Sequence, residues 1–255
     1  MSWNPEQYLK FSQPRLRPAL DLLARVPSHD PAWVYDLGCG AGNVTALLAE
    51  RWPRATLIGV DNSAAMLAQA AQALPQVRWL KQSLTDWQPD RPADVIFSNA
   101  ALHWLPDHAQ LLGTLVDKLA PGGVLAVQMP RNFAAPSHTL IATTVRAGPW
   151  RSKLEPLLRP APVAEPADYH AWLSPLAASL DIWESEYLQV LSGQDPVKEW
   201  TKGTWLTQFL ERLDGVQSAA FEADYAQRLR SAYPPLSDGR TLFPFRRLFI
   251  VLQRA

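Results

Sequence analysis

The sequence has almost no cysteine: one, Cys39, in 255 residues. A single thiol permits no internal disulfide, which excludes a stapled secreted scaffold and leads us to expect a cytoplasmic setting. An excess of either charge is also missing, with 24 Lys and Arg against 24 Asp and Glu. The balance holds by halves, 11 of each sign in residues 1–135 and 13 of each in 136–255. No basic stripe is present to follow a phosphate backbone, so no nucleic-acid partner is expected. Long apolar runs are lacking too. GVLAVQM, at 123–129, falls far short of the ~20 residues that cross a bilayer, so no membrane partner is expected. The opening MSWNPEQYLKF carries no charged-then-apolar leader pattern. His29, His108, His138 and His170 are scattered without metal-ligand spacing, and no metal is expected.

What the chain does hold is an alternation. WVYDL, ATLIGVD, VRWLK, ADVIFSN and GVLAVQM are short apolar strand candidates, separated by segments of helical period. Val44, Leu47, Leu48 and Arg51 share one helical face; Met66, Leu67, Ala70 and Leu74 form a stripe that Pro75 stops. Leu111, Leu112, Leu115 and Leu119 form another, ended by the PGG at 121–123. Strands alternating with helices imply parallel pairing with right-handed crossovers, hence a Rossmann-like, doubly wound α/β sheet. Two later strands, DIWESEYLQVL and LFPFRRLFIVL, bring the expected count to seven. The domain plan is one domain over 1–255, with a helical segment at 1–30 and a core at 31–135. A helical cap at 192–240 is inserted before the last strand. The proline-rich stretch 149–166 is expected to be irregular, and its position suggests a lid.

The chemistry concentrates in VYDLGCGAGN, residues 34–43, where Gly38, Gly40 and Gly42 alternate behind Asp36. A strand, a glycine turn and a helix start form a nucleotide-handling site in many α/β folds. The dinucleotide fingerprint wants a third glycine where Asn43 stands. Asp36 would also face a diphosphate with a like charge, a repulsion of about 4 kcal/mol at ~4 Å and an effective dielectric of 20. S-adenosylmethionine carries an ammonium and a sulfonium and no phosphate, so an acid there attracts it. Asp61 ends the second strand 21 residues after Gly40, where a carboxylate can accept both ribose hydroxyls or, alternatively, cap the next helix. Met66 either lies against an adenine or packs in the core.

The motifs DLGCGAGN, GVDNS, FSNAALHWL and LAPGGVLAVQMP, in that order over about 100 residues, resemble the class I S-adenosylmethionine-dependent methyltransferases. The flanks WNPEQYLKFSQPRLRPALDLLARVP, NAALHWLPDH, VKEWTKGTWL, AYPPLSDG and RRLFIVLQR are similar to the trans-aconitate 2-methyltransferase family. The resemblance implies that S-adenosyl-L-methionine is held by Asp36, Gly38, Cys39, Gly40, Gly42, Asp61, Asn62, Met66, Ser83, Leu84, Asn99 and Ala100, with Tyr8 and Arg15 from the N-terminal segment. It implies a small polycarboxylate partner, contacted by His103, Trp104, Gln128, Trp200 and Arg247, with His103 and Trp104 in a positioning role. Thr204 and Trp205 are further lining candidates. Four positions depart from the family pattern: Ala41 for proline, Ser83 for an aspartate that meets the adenine amino group, His103 for glutamine and Arg131 for aspartate.

A carboxylate acceptor is ionised at pH 7, with a pKa near 4, so no catalytic base is expected. A hydroxyl acceptor would need one, and His103 is the candidate. Each assignment has a bland counterpart. Arg247 either meets substrate or lies on a solvated face, and Gln128 either binds a carboxylate or satisfies backbone. Tyr8 and Arg15 either close over the cofactor or anchor their helix. The aromatic residues Trp200 and Trp205 either line a pocket or fill core. The alternatives to the family activity are methylation of another small carboxylate or hydroxyl compound, a nicotinamide oxidoreductase, and a cofactor-binding module without catalysis.

Overall fold

The computed structural model describes residues 12–255, with side chains from residue 16 onward. Seven strands form one sheet in the order β3-β2-β1-β4-β5-β7-β6. They are β1 (Trp33–Leu37), β2 (Thr56–Asp61), β3 (Arg78–Lys81), β4 (Ala93–Asn99), β5 (Leu119–Pro130), β6 (Ala177–Leu191) and β7 (Thr241–Arg254). The first five pair in parallel, and β7 runs antiparallel to β5. In β1 four of the five residues are buried, and in β4 five of seven, as central parallel strands covered on both faces require.

The chain falls into two compact units. The first, the sheet unit, takes residues 15–130, 162–185 and 247–255; the second, the helical unit, is mainly 131–161 and 186–246. The sheet unit carries α1 (Ser12–Ala24), α2 (Asn43–Arg51), α3 (Ala64–Ala73), α4 (His108–Asp117) and α7 (Pro166–Leu173). The helices α5 (Pro136–Ala147), α6 (Arg151–Leu154), α8 (Pro196–Lys202), α9 (Thr207–Leu210) and α10 (Gly215–Ala232) belong to the helical unit. That unit therefore draws on 131–161 as well as on the 192–240 stretch expected from sequence.

Local chemistry sets the helix ends. The Ser63 hydroxyl accepts from the Met66 amide at the start of α3, and Asp107 accepts from Gln110 at the start of α4. Asp214 does the same for Gln217 at α10. Two expectations need correction. The PGG at 121–123 does not end α4, which stops at Asp117; it lies inside β5, where the register with β4 shifts between Ala93 and Val95. The 149–166 stretch is only partly irregular, because α6 and a 3-10 turn (Glu155–Leu157) occupy its first half. Pro156 sits in the first positions of that turn, where its missing N–H costs nothing, and Trp150 is pinned in the core, its indole N–H donating to the Thr144 carbonyl at 2.9 Å.

The helical unit has a core of its own. Ile141, Val145, Trp150, Trp200, Phe209, Phe221, Tyr225 and Phe243 are among its buried members. Among the described residues, no helix is long and apolar enough to cross a membrane.

Candidate active site

In the sheet unit, strand order reverses between β1 and β4, so the crevice beyond their carboxyl ends is the place where an open α/β sheet holds ligands. The glycine turn lies there. The Gly38 and Cys39 amides both donate to the Val60 carbonyl, at 2.8 and 3.1 Å, tying the loop to the end of β2. Gly38, Gly40 and Gly42 all have positive φ, at 76°, 54° and 81°. Gly38 has no alternative: a β-carbon would stand 2.1 Å from that of Ala101. Gly42 caps α2 in the left-handed region, and a β-carbon there would meet the Trp79 ring at 2.9 Å. Asn43, where the dinucleotide pattern wants glycine, is the first residue of α2.

Asp36 does not face the crevice as a bare carboxylate. It is 1% exposed, and the Thr45 hydroxyl donates to its Oδ2 at 2.6 Å. Burial pushes its pKa up to about 7, with the Thr45 bond acting against the shift and Asp61 adding to it. Thr45 is a site residue that the sequence reading passed over. It sits between the helical positions taken as apolar, and only its bond to Asp36 explains why a hydroxyl is buried on that face. Asp61 is partly exposed. Its Oδ2 accepts from the Gly40 amide at 2.9 Å and its Oδ1 from the Ser63 amide at 2.8 Å, while Ser63 supplies the cap of α3. The carboxylate thus braces the loop and keeps further lone pairs for a ligand. Met66 is 7% exposed, its Cε 3.6 Å from the position a Gly40 β-carbon would take. Leu84 comes as close to Gly38, with Cδ1 at 3.7 Å from the same kind of position.

Asn62 and Ser83 are exposed, and the Ser83 hydroxyl is taken up locally, 2.8 Å from that of Thr85. Cys39 is buried, and burial pushes its thiol pKa strongly upward, so the residue is a small loop filler and not a nucleophile. Tyr8 and the Arg15 side chain lie outside the described residues.

The next two strands supply the other wall. Asn99 and Gln128 are register partners at the carboxyl ends of β4 and β5. Asn99 Oδ1 and Gln128 Nε2 are both buried without a hydrogen-bond partner, an acceptor and a donor left open side by side. Arg247 is 4% exposed and donates through Nη1 to Gln128 Oε1 at 3.2 Å, which rules out the solvated-face reading. Arg246, on the opposite face, is exposed. Ala100 follows Asn99 at φ 55°, a left-handed conformation unusual for alanine, and its amide donates to the Gln128 carbonyl at 2.9 Å. The 3-10 turn Leu102–Trp104 then presents His103, 6% exposed, with its ring 4.7 Å from that of Trp104, which is 36% exposed.

Trp200 is a correction. It is 2% exposed in the aromatic core of the helical unit, edge-on to Phe243, so packing is its role. In the same unit, Thr204 donates to the Thr201 carbonyl and Trp205 packs on Phe133 and His138. Among the described residues, no three His, Cys, Asp or Glu side chains are grouped to hold a metal.

The side chains around the glycine turn are therefore acceptors and acids: Asp36, Asp61 and Asn99 Oδ1. That set suits a cationic nucleoside and not a phosphate. The methyltransferase domain family matches residues 34–123. The trans-aconitate 2-methyltransferase of Azoarcus sp. (strain BH72) is 51% identical over 99% of this chain and 99% of its own. That of Methylobacterium nodulans is 46% identical over 99% of this chain and 98% of its own. Among solved structures, Haemonchus contortus phosphoethanolamine N-methyltransferase 2 in complex with S-adenosyl-L-methionine shares the fold with a TM-score of 0.55 at 15% identity. The match covers 94% of this chain and 53% of that one.

Proposed function

This chain belongs to the trans-aconitate 2-methyltransferase family, and we propose on that basis that it esterifies one carboxylate of trans-aconitate with the methyl group of S-adenosyl-L-methionine. The observation that carries the acceptor is the buried Arg247–Gln128 pair near the carboxyl end of β5, a guanidinium beside an open amide donor. A polycarboxylate supplies the matching charge and acceptors.

The residues fit the cofactor. Asp61 accepts the ribose hydroxyls while holding Gly40; Met66 and Leu84 flank the adenosine; Asn99 Oδ1 accepts from the ammonium. The acidic groups at 36 and 61 complement the net positive charge. Gly38, Cys39, Gly40 and Gly42 supply the backbone against which the methionine end rests, with Ala100 beside it. Asn62 and Ser83, both exposed, border the adenine, and Ser83 contributes weakly because its hydroxyl is engaged by Thr85.

When bound, S-adenosyl-L-methionine would supply an electrophilic methyl on a sulfonium; a carboxylate oxygen would attack that carbon, the C–O bond forming as the C–S bond breaks and the thioether S-adenosylhomocysteine leaving. The chain need not move a proton, because the acceptor carboxylate is ionised well above its ordinary pKa of about 4. The protein's part is alignment and removal of water from the reacting oxygen. Arg247 and Gln128 orient the acid, and His103 and Trp104 line the acceptor mouth. Family membership replaces the nicotinamide reading. The cytoplasm is the compartment we assign, with a small molecule as partner and neither nucleic acid nor membrane.

The test is transfer of labelled methyl to trans-aconitate, cis-aconitate, citrate, isocitrate and itaconate. A clear preference for trans-aconitate is expected. Equal transfer to all five, or transfer only to hydroxyl compounds, would overturn the acceptor assignment.

A further inference from the structure

His108 and Tyr169 lie outside the contacts assigned above, yet their hydrogen bonds lead straight to the acceptor mouth. Both are buried, Tyr169 completely. His108 Nε2 is 3.1 Å from the Leu102 carbonyl, and Nδ1 is 2.5 Å from the Tyr169 hydroxyl. A carbonyl can only accept, so Nε2 carries a proton, and in the neutral ring Nδ1 is then the acceptor. The Tyr169 O–H therefore donates to Nδ1, and its oxygen in turn accepts from the Ala164 amide at 3.3 Å. Every donor and acceptor role in this chain is set. It runs from residue 164 through the first turns of α7 and the start of α4 to Leu102, the residue before His103. Burial lowers the pKa of His108, which favours the neutral ring that the arrangement requires.

The segment it reaches is buried at Leu102 and His103. The Leu102–Trp104 turn makes short-range backbone bonds, Trp104 to Ala101 and Leu105 to Leu102. It is flanked by two non-glycine residues at positive φ, Ala100 at 55° and Asp107 at 51°. Such conformations persist only where surrounding contacts over-determine them.

We propose that His108 and Tyr169 are positioning residues for the acceptor side of the reaction: through the Leu102 carbonyl they fix the turn that carries His103 and Trp104. The inference rests on the placement of those two residues at the acceptor mouth. It makes α7, a helix with no side chain assigned to either substrate, a determinant of acceptor binding and not of cofactor binding.

The experiment measures trans-aconitate KM, kcat and cofactor Kd for Tyr169→Phe, His108→Leu and His108→Gln, with His103→Ala and Trp104→Ala beside them. Tyr169→Phe keeps the ring and removes one hydroxyl, so it reads the bond if His108→Leu fails to fold. Tyr169→Phe and His108→Leu are expected to raise KM about tenfold, the effect of one buried hydrogen bond, with cofactor Kd within twofold. His108→Gln retains an N–H for the Leu102 carbonyl and is expected to recover most of the loss. An unchanged KM in Tyr169→Phe, or a cofactor Kd that shifts by the same factor as KM, overturns the proposal. If Tyr169→Phe is silent while His103→Ala and Trp104→Ala raise KM, the positioning role alone is wrong. If those two are silent as well, the mouth assignment fails and the proposal fails with it.

Discussion

The two units differ in where buried polar side chains find partners. In the helical unit one network closes around Ser137, while Thr144 Oγ1 in the same unit is buried without a hydrogen-bond partner. Asn132 Nδ2 donates to Ser137 Oγ, which contacts His138 Nδ1; the Ser137 amide donates to the Tyr233 oxygen, and the Tyr225 hydroxyl donates to the Ser137 carbonyl. In the sheet unit, Asn99 Oδ1 and Gln128 Nε2 are left open where β4 and β5 end, and Asp36 is buried with the Thr45 hydroxyl donating to its Oδ2. An unsatisfied buried polar group costs about 1–3 kcal/mol, which a fold tolerates where a ligand completes the set. The open acceptor and donor at the ends of β4 and β5 are where we place the ligand.

The strongest test of that contrast substitutes glycine in each unit. Gly38→Ala forces alanine into φ 76° with 2.1 Å between β-carbons, and we expect loss of methyl transfer, cofactor binding weakened at least about 100-fold, and a lower Tm. Gly215→Ala, at the start of α10 with nothing within 4 Å of the new carbon, is expected to change stability by less than about 1 kcal/mol. Calorimetric titration and thermal melts compare the two.

Next in size is the open wall. Arg247→Met is expected to raise the trans-aconitate KM roughly 10- to 100-fold, the range for a hydrogen bond to a charged group, and to leave cofactor Kd within twofold. Steady-state kinetics with parallel cofactor titration would expose an assignment error if both constants moved together.

Acid acts with opposite sign on one buried group in each unit. Asp36, near 3.8 unfolded and about 7 folded, makes the folded protein bind the extra proton, so its contribution to stability rises as pH falls through that window. His138 is held neutral by burial, from 6.5 down to about 4, so the unfolded chain binds the extra proton and stability falls as pH drops. Between pH 7 and 5 each contribution is about 2 kcal/mol, with opposite signs. Relative to the unsubstituted protein, Asp36→Asn should lose stability over that interval and His138→Gln should gain it, read from urea midpoints at both pH values. Cofactor binding favours ionised Asp36, so binding at pH 6 should release a proton, detectable as buffer-dependent heat.

The smallest expected effect is at Cys39. Its buried, protonated thiol should resist iodoacetamide at pH 8 in the native protein and react on unfolding, as mass spectrometry would show.

The strands and the glycine turn were legible because their signals are local. Period-2 and period-3.6 apolarity located β1 to β5 and their helices, and three glycines at positive φ lie within five residues. The candidate site was legible only where a motif carried it. Asp61 and Met66 stand beside the loop as expected, whereas Trp200 shows that an aromatic residue in a similar flanking segment can be core. Thr45 was missed because a polar residue at a helical position carries no sign of its partner nine residues earlier. His108 and Tyr169 were missed for the same reason at a separation of 61 residues.

The sequence by itself determined the alternating α/β order, the left-handed glycine turn and the family, since these depend on residue types at short, regular spacing. Only the tertiary structure decided which acids are bare and which are buried, which guanidinium faces inward, and which histidine holds the acceptor turn. Those properties depend on desolvation and on hydrogen bonds between residues far apart in the chain, and no spacing rule encodes them.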